Sequence, residues 1–462
     1  MLEKKYSLAE FFCGCGGTSR GFTRSGRFNV VFGNDIKAEA LRTFEFNHRQ
    51  DDVPPMTVRE DIRLLDVERI HEALRARDVA KGDLDCMIGG PPCQGFSQLR
   101  RSEHREKGKI VKFKGYSQLA HDPRNDLVLR YLEVAEALQP KFLVIENVPQ
   151  MLNHGFDGRL GKLSEIVIEM LERDLGYNVE VAVLNSADYG VPQLRERAVF
   201  IASSIGSASM PMPSHCDPSN ERLLQEGRLP WVTVADAISD LPAPSLNEEV
   251  LGGQALDLYG KDPSVYAQQM RSAPTFPYNH ITRSYRKSVL DIIKEMRPGK
   301  TWDTESERMR DEYANVIKKL SVSEGISLEA AQVKLERSKA INPVFYKDYY
   351  WSAYSRLAWG SPSLTITANA NFLGSGRFTH PIEMRGITMR EAARLQSFDD
   401  DFRFITSDSE DIDAVRVGVG MDMIGEAVPP LLSKAIAIHL AEQLDGNRAD
   451  APVNPGMRAR LR

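Results

Sequence analysis

Apolar residues in the first two hundred positions fall into short runs separated by stretches of helical periodicity. Ser7-Leu8-Ala9-Glu10-Phe11-Phe12, Asn29-Val30-Val31-Phe32, Asp85-Cys86-Met87-Ile88 and Lys141-Phe142-Leu143-Val144-Ile145 have the length and side-chain content of buried strands. Val179-Glu180-Val181-Ala182-Val183-Leu184 and Ala198-Val199-Phe200-Ile201-Ala202 read the same way, and helical patterns such as Leu127 to Leu138 lie between several of these runs. Strands alternating with helices predict a doubly wound α/β domain. Its sheet is mainly parallel and covered on both faces, with ligands at the carboxyl ends of the strands.

The texture changes near Ser203. Met210-Pro211-Met212-Pro213 and Leu241-Pro242-Ala243-Pro244 punctuate an irregular stretch, and charged helical segments follow between Thr301 and Ala340. Alternation returns near Tyr354, with Ser363-Leu364-Thr365-Ile366-Thr367 as a strand and Thr388 to Ser397 and Leu431 to Leu444 as helices. The expected organisation is a first domain over 1–204, a second, irregular one over 205–350, and a part over 351–445 that rejoins the first. The tail, 446–462, carries Arg448, Arg458, Arg460 and Arg462 with little apolar content to pack, and is expected to be mobile.

Composition narrows this picture. At 462 residues the chain suits two or three domains of roughly 100–200 residues each. Hydrophobic residues at 42% and charged ones at 27% exclude disordered and fibrous classes. There is no apolar run of about 18 residues, and Met1 to Tyr6 leads into a strand in place of a signal-peptide core, so the cytoplasm is the expected compartment. Five cysteines, an odd number without paired ligand spacing, predict reduced thiols and favour neither a disulfide framework nor a metal site. A net charge of −5 does not announce a nucleic-acid binder, although global charge says little about one groove.

Four segments carry chemistry. Phe11-Phe12-Cys13-Gly14-Cys15-Gly16-Gly17 is a glycine-rich turn after a strand, suited to close approach of backbone to a ligand. Asp35 follows the next strand at the distance where an acid accepts hydrogen bonds from ribose hydroxyls, and no Walker-type Gly-Lys-Ser/Thr is present. Gly89-Gly90-Pro91-Pro92-Cys93-Gln94-Gly95-Phe96-Ser97 puts a thiol at a stiff turn above the sheet, a good position for a nucleophile. Ile145-Glu146-Asn147-Val148-Pro149 brings a carboxylate to the same sheet edge. In Gln193-Leu194-Arg195-Glu196-Arg197 the alternate residues Gln193, Arg195 and Arg197 share one face if extended.

Taken together and in this order, these segments resemble the DNA (cytosine-5) methyltransferase family, of the bacterial restriction-modification type. Cys93 matches its Pro-Cys-Gln nucleophile, Glu146 its Glu-Asn-Val acid, and Gln193, Arg195 and Arg197 its Gln-x-Arg-x-Arg motif. Thr388 to Phe398 and Gly425-Glu426-Ala427-Val428-Pro429-Pro430 match its C-terminal blocks, so the likeness runs from about Leu8 to Leu444 and omits much of 205–350. The resemblance implies an S-adenosylmethionine-dependent methyltransferase fold and methyl transfer to C5 of a flipped-out cytosine in a short duplex DNA sequence, through addition of Cys93 to C6. Glu146 would hydrogen-bond the base and Arg197 steady its O2.

The same resemblance assigns S-adenosylmethionine contacts to Phe12, Cys15, Gly17, Asp35, Ile36, Asp61, Ile62, Pro92, Leu127, Glu426 and Val428; Cys15 and Leu127 are equally suited to be packing residues. DNA contacts fall to Ser97, Arg100, Arg101 and Lys109. These belong to the stretch Gln98 to Tyr116, where seven basic residues face only Glu103 and Glu106 and a flexible loop is expected. The region 205–350 stands where the family carries target recognition. Double-stranded DNA is the expected partner, with a cognate restriction endonuclease in the same system, no membrane, no metal and a monomeric state. A transfer-RNA cytosine-5 methyltransferase and a catalytically silent DNA-binding regulator are the rival readings. One residue departs from the pattern: the family usually has Asn at Glu426. Near a sulfonium, that carboxylate is expected to turn toward a backbone donor or an arginine, or to tighten cofactor binding at some expense to turnover.

Overall fold

The computed structural model describes residues 5–50, 52–92, 104–106, 109–111, 125–153, 162–244, 262–271, 278–342, 349, 352–370, 372–406 and 416–446. Its centre is a seven-stranded sheet. The strands are β1 (Tyr6–Phe11), β2 (Phe28–Asp35), β3 (Met56–Arg59), β4 (Cys86–Gly89), β7 (Phe142–Asn147), β8 (Asn178–Asn185) and β10 (Glu196–Ser203). Outside it lie a hairpin of β5 (His104–Glu106) and β6 (Lys109–Val111), and the two-residue β9 (Gln193–Leu194). The sheet order is β3-β2-β1-β4-β7-β10-β8, with every pair parallel except those made by β10, which runs antiparallel to both neighbours. The doubly wound, mainly parallel architecture expected from the strand and helix alternation is therefore present.

Period-two alternation divides the core into two layers. On β7, Leu143 and Ile145 face a layer with Phe11, Phe32, Met87, Tyr131 and Phe200 beneath helices Val67–Arg75 and Asn125–Leu138. Phe142 and Val144 face the other layer, with Leu8, Phe28, Val30 and Ile201. That second layer is closed by helix Gly17–Arg24 and by the C-terminal helix Pro430–Leu444, which contributes Leu432, Ile436 and Leu440. The two helices touch backbone to backbone: a Cβ on Gly21 would stand 2.3 Å from the Pro430 carbonyl oxygen. The last segment is thus part of the core laid down by the first.

A further core joins helices Val234–Ile238, Val265–Met270, Met389–Leu395 and Val417–Glu426. Thr388 starts the third of these with a capping box, its hydroxyl taking the Glu391 N–H while Glu391 takes the Thr388 N–H. The charged segments between Thr301 and Ala340 form helices Trp302–Glu324 and Leu328–Arg337, held together through Ile317, Ala331 and Leu335.

Two expectations change in detail, and one strand was not anticipated. The strand expected over Ser363 to Thr367 pairs only at Ser363–Leu364, with β9, because the Gln193 side-chain oxygen then takes the Ile366 N–H and interrupts the backbone ladder. The basic stretch expected as a loop contains the β5–β6 hairpin, favoured by the β-branched pair Ile110-Val111. Strand β3 carried too little apolar pattern to be read from sequence, being short, half exposed and at the sheet edge. Residues 447–462, expected as a mobile tail, lie outside the described residues.

Candidate active site

The carboxyl ends of β1, β2, β4 and β7 open into one cavity of about 480 Å³, in the range of small-molecule sites. Its floor is the turn after β1. Phe12 and Gly14 have φ near 52° and Gly16 has φ 90°, which releases the chain from the strand and starts helix Gly17–Arg24 immediately. Gly17 is required by space, because a Cβ there would lie 2.4 Å from the Val428 carbonyl oxygen.

Carboxylates hold this turn from below and from the side. Glu10, buried at the base, accepts from the Ser19 N–H at 3.1 Å and from the Ser19 hydroxyl; burial pushes its pKa up to about 7 against the lowering effect of those bonds. Asp35 accepts from the Gly14 N–H at 2.8 Å with one oxygen and from the Lys37 N–H at 2.8 Å with the other. Each oxygen keeps a lone pair, so the group is oriented and still able to accept. Asp61 is hydrogen-bonded by the Arg63 backbone and guanidinium, which hold it below the usual carboxylate range.

All eleven residues expected to contact the cofactor line this cavity: Phe12, Cys15 and Gly17 from the turn, Asp35 ending β2 and Ile36 after it, Asp61 and Ile62 after β3, Pro92 after β4, and Leu127, Glu426 and Val428 from the surrounding helices and their ends. Ile36 is 60% exposed, an apolar side chain open to the cavity and solvent. Cys15 is buried, with Sγ 3.7 Å from the Met423 carbonyl oxygen, and Ile62 and Leu127 also pack on the core. Among the described residues the Glu426 side chain turns to a lysine in place of the arginine or backbone donor expected, with Lys37 Nζ 2.5 Å from its Oε2.

The inner end of the cavity holds a second constellation. Glu146, near the end of β7, pairs through Oε1 with Arg197 Nε at 2.6 Å, and both side chains are nearly buried. Burial lowers the Arg197 guanidinium from its ordinary range, and Glu146 offsets part of the effect. Gly90 passes so close that a Cβ would lie 3.2 Å from Glu146 Oε2. The next residue of β7, Asn147, donates to the Pro91 carbonyl at 2.8 Å and accepts from the Val148 N–H, fixing the path of Gly90-Pro91-Pro92. Cys93 follows directly in sequence and, with Ser97, Arg100 and Arg101, lies outside the described residues; Lys109 opens β6.

The arginine motif divides by role. Gln193, Arg195 and Arg197 do share the inner face, but only Arg197 reaches Glu146. Gln193 stands outside the cavity, bonded to Gln396, the Leu395 carbonyl and the Ile366 N–H. Arg195 is 2% exposed and donates to the carbonyls of Ile366 (2.9 Å), Gly425 (2.9 Å) and Ala427 (3.0 Å). In this structure both side chains tie the C-terminal blocks to the cavity wall, Arg195 at the Gly425 and Ala427 carbonyls and Gln193 at Gln396 and the Ile366 N–H. Arg195 Nε has no hydrogen-bond partner among the described residues, although Arg195 lines the cavity.

Sequence reading missed Glu10 and Lys37. Glu10 had a signal, an acid inside an otherwise apolar strand. Lys37 had none, since its partner lies 389 residues away.

Comparison with known proteins fits this geometry. The model of the C-5 cytosine-specific DNA methylases matches residues 6–442. The chain belongs to that family. Among its curated relatives, the type II methyltransferase M.AgeI of Thalassovita gelatinovora is 30% identical, covering 93% of this chain and 97% of its own. M.DdeI of Desulfomicrobium norvegicum is 28% identical over 93% of this chain and 87% of its own. A solved structure described as a prophage-encoded DNA modification methyltransferase of Escherichia coli superposes with a TM-score of 0.61 at 20% identity, covering 96% of this chain and 100% of that one, and supports the shared fold. This family member is a DNA (cytosine-5) methyltransferase. No helix among the described residues is long and apolar enough to cross a membrane.

Proposed function

We propose that the enzyme transfers a methyl group from S-adenosylmethionine to C5 of a cytosine flipped out of a specific short duplex DNA sequence. The observation that carries this reading is the Arg197–Glu146 pair beside Gly90-Pro91-Pro92 at the inner end of the glycine-turn cavity. It sets base-binding groups and a nucleoside-sized space side by side.

The residues present fit the cofactor. Ile36, Ile62 and Leu127 offer apolar contact to a base, Asp35 and Asp61 offer oriented acceptors, and the glycines admit close backbone approach. When bound, S-adenosylmethionine supplies an electrophilic methyl group. Cys93 forms a bond to cytosine C6, and the displaced electron pair makes C5 nucleophilic. C5 would accept that methyl group, whose former bonding pair would stay with sulfur. Loss of the C5 proton to a base then restores the double bond and expels the Cys93 thiolate. Glu146 holds the ring at N3 and the exocyclic amine, and Arg197 both orients Glu146 and meets O2.

Extrusion of the base costs a few kcal/mol, which the basic stretch with Ser97, Arg100, Arg101 and Lys109 offsets through phosphate contacts. Region 205–350 reads the sequence, while 1–204 and 351–445 form the catalytic part and 446–462 a tail. The enzyme acts as a monomer in the bacterial cytoplasm, beside a cognate endonuclease with which it need not associate. A labelled-methyl assay with duplex DNA, transfer RNA and no nucleic acid tests the substrate class. Incorporation into duplex DNA alone is expected; incorporation into transfer RNA, or none, overturns it. Sequencing a plasmid methylated in a host free of other cytosine methylases then names the site, and methylation of every cytosine would refute sequence recognition.

A further inference from the structure

Glu426 ends helix Val417–Glu426, where the carbonyl ends of the peptide dipoles place partial negative charge that the Arg195 guanidinium answers only at Gly425 and Ala427. Asp422 lies one turn earlier on the same helix, so two like charges stand at i and i+4. Burial and then the Glu426 charge raise the Asp422 pKa, which Lys37 partly counters. A carboxylate in this position is unfavourable on its own helix, and its contact comes from across the cavity. Lys37, the residue before helix Ala38–Asn47, pairs with it at 2.5 Å. Burial lowers the Lys37 pKa, but the hydrogen bond and charge of Glu426 more than offset this, so the ammonium is held charged. Both residues line the cavity and both are about half exposed, at 50% and 48%. The backbone on either side of Glu426 is fixed separately, by Arg195 at the Gly425 and Ala427 carbonyls. Lys37 therefore determines where the Glu426 side chain points and how much of its charge the cavity feels.

We propose that Lys37 is a positioning residue which, by neutralising Glu426 on the cavity wall, sets the preference of the site between the sulfonium cofactor and its uncharged thioether product. This rests on the cavity being the S-adenosylmethionine site. The two ligands share every group except the methyl and the positive charge on sulfur, so an unpaired carboxylate on the wall favours one and an unpaired ammonium the other. Pairing removes most of the contribution of Glu426 to that preference, so this carboxylate does not deepen a ground-state well that the reaction would have to climb out of.

The test is calorimetric titration of the full-length protein with S-adenosylmethionine and with S-adenosylhomocysteine, in the unmodified enzyme, Lys37→Met, Lys37→Arg, Glu426→Gln and the double variant. Lys37→Met shifts the ratio of the two dissociation constants three- to tenfold toward S-adenosylmethionine. Glu426→Gln shifts it by a similar factor the other way, while Lys37→Arg and the double variant return it to within twofold of the starting value. Both single-variant shifts shrink as salt rises, because the pair is half exposed. A ratio that stays constant across the set, while each protein binds both ligands, overturns the inference. Failure of the unmodified protein to bind either ligand overturns instead the cofactor reading on which it rests.

Discussion

Replacing Arg195 by Met removes a guanidinium that holds three backbone carbonyls from two C-terminal segments. Hydrogen bonds from a charged donor contribute about 1.5–3 kcal/mol each, so losing three costs on the order of 4–9 kcal/mol before relaxation. The opposing term is desolvation: burial, helped by the Arg197 charge, pushes the Arg195 guanidinium below its ordinary range, so Met recovers part of the loss. A net destabilisation of about 3 kcal/mol is expected. It should be local, since the orphaned carbonyls belong to Ile366, Gly425 and Ala427. Hydrogen exchange followed by mass spectrometry should show peptides covering 364–370 and 421–430 losing roughly a hundredfold of protection while β1, β4 and β7 change little. Cofactor affinity falls with them, because Gly425, Glu426, Ala427 and Val428 line the cavity. Lys at this position keeps the charge but cannot span three acceptors, and should restore less than half of the protection. Unchanged exchange in both segments, with turnover alone reduced, would refute the strut and return Arg195 to the reacting groups.

Other variants probe separate parts of the site. Gly17→Ala must displace the Val428 carbonyl, and isothermal titration should show cofactor affinity at least tenfold weaker; unaltered affinity would mean the C-terminal wall yields freely. Glu10 has a folded pKa of about 7 against an ordinary 4.5, so the folded state binds the proton more tightly, and its contribution to stability falls as pH rises through that window. Glu10→Gln removes this dependence: urea unfolding should show the variant gaining on the unmodified protein by up to about 3 kcal/mol between pH 5 and pH 8, whereas a constant difference would contradict the burial argument. Glu146→Gln keeps the shape but loses the ion pair with Arg197, and should lower kcat by about a hundredfold or more with cofactor affinity within threefold; a fall in affinity alone would place Glu146 in cofactor binding.

The central sheet was legible because its strands are buried on both faces and therefore read as continuous apolar runs, as Phe142-Leu143-Val144-Ile145 does. What escaped was short, exposed or held by side chains. Strand β3 has one buried residue among four, and Ile366 is tied to Gln193 through an amide and not through a ladder. At the site, residue types and order pointed to the glycine turn, Asp35 and Glu146, which sit where the topology puts them, while the rest of the cavity lining came from the family resemblance. Spacing alone put Arg195 and Arg197 on one face, and only the resemblance singled out Arg197; that Arg197 reaches Glu146 while Arg195 spends its guanidinium on the backbone is set by tertiary packing. Pairing across the cavity, as between Lys37 and Glu426, is set by tertiary closure and has no local trace.

Covalent capture tests the central claim most directly. A duplex containing the methylated site, with 5-fluorocytosine at the target position, should trap the enzyme after methyl transfer, because fluorine cannot leave as a proton. In the presence of S-adenosylmethionine the unmodified enzyme should form a stable protein–DNA adduct whose peptide map places the bond at Cys93. Cys93→Ser should form none and methylate ordinary duplex at less than a tenth of the normal rate. An active enzyme that yields no adduct, an adduct at another residue, or a serine variant that retains a tenth of the rate or more would contradict the account.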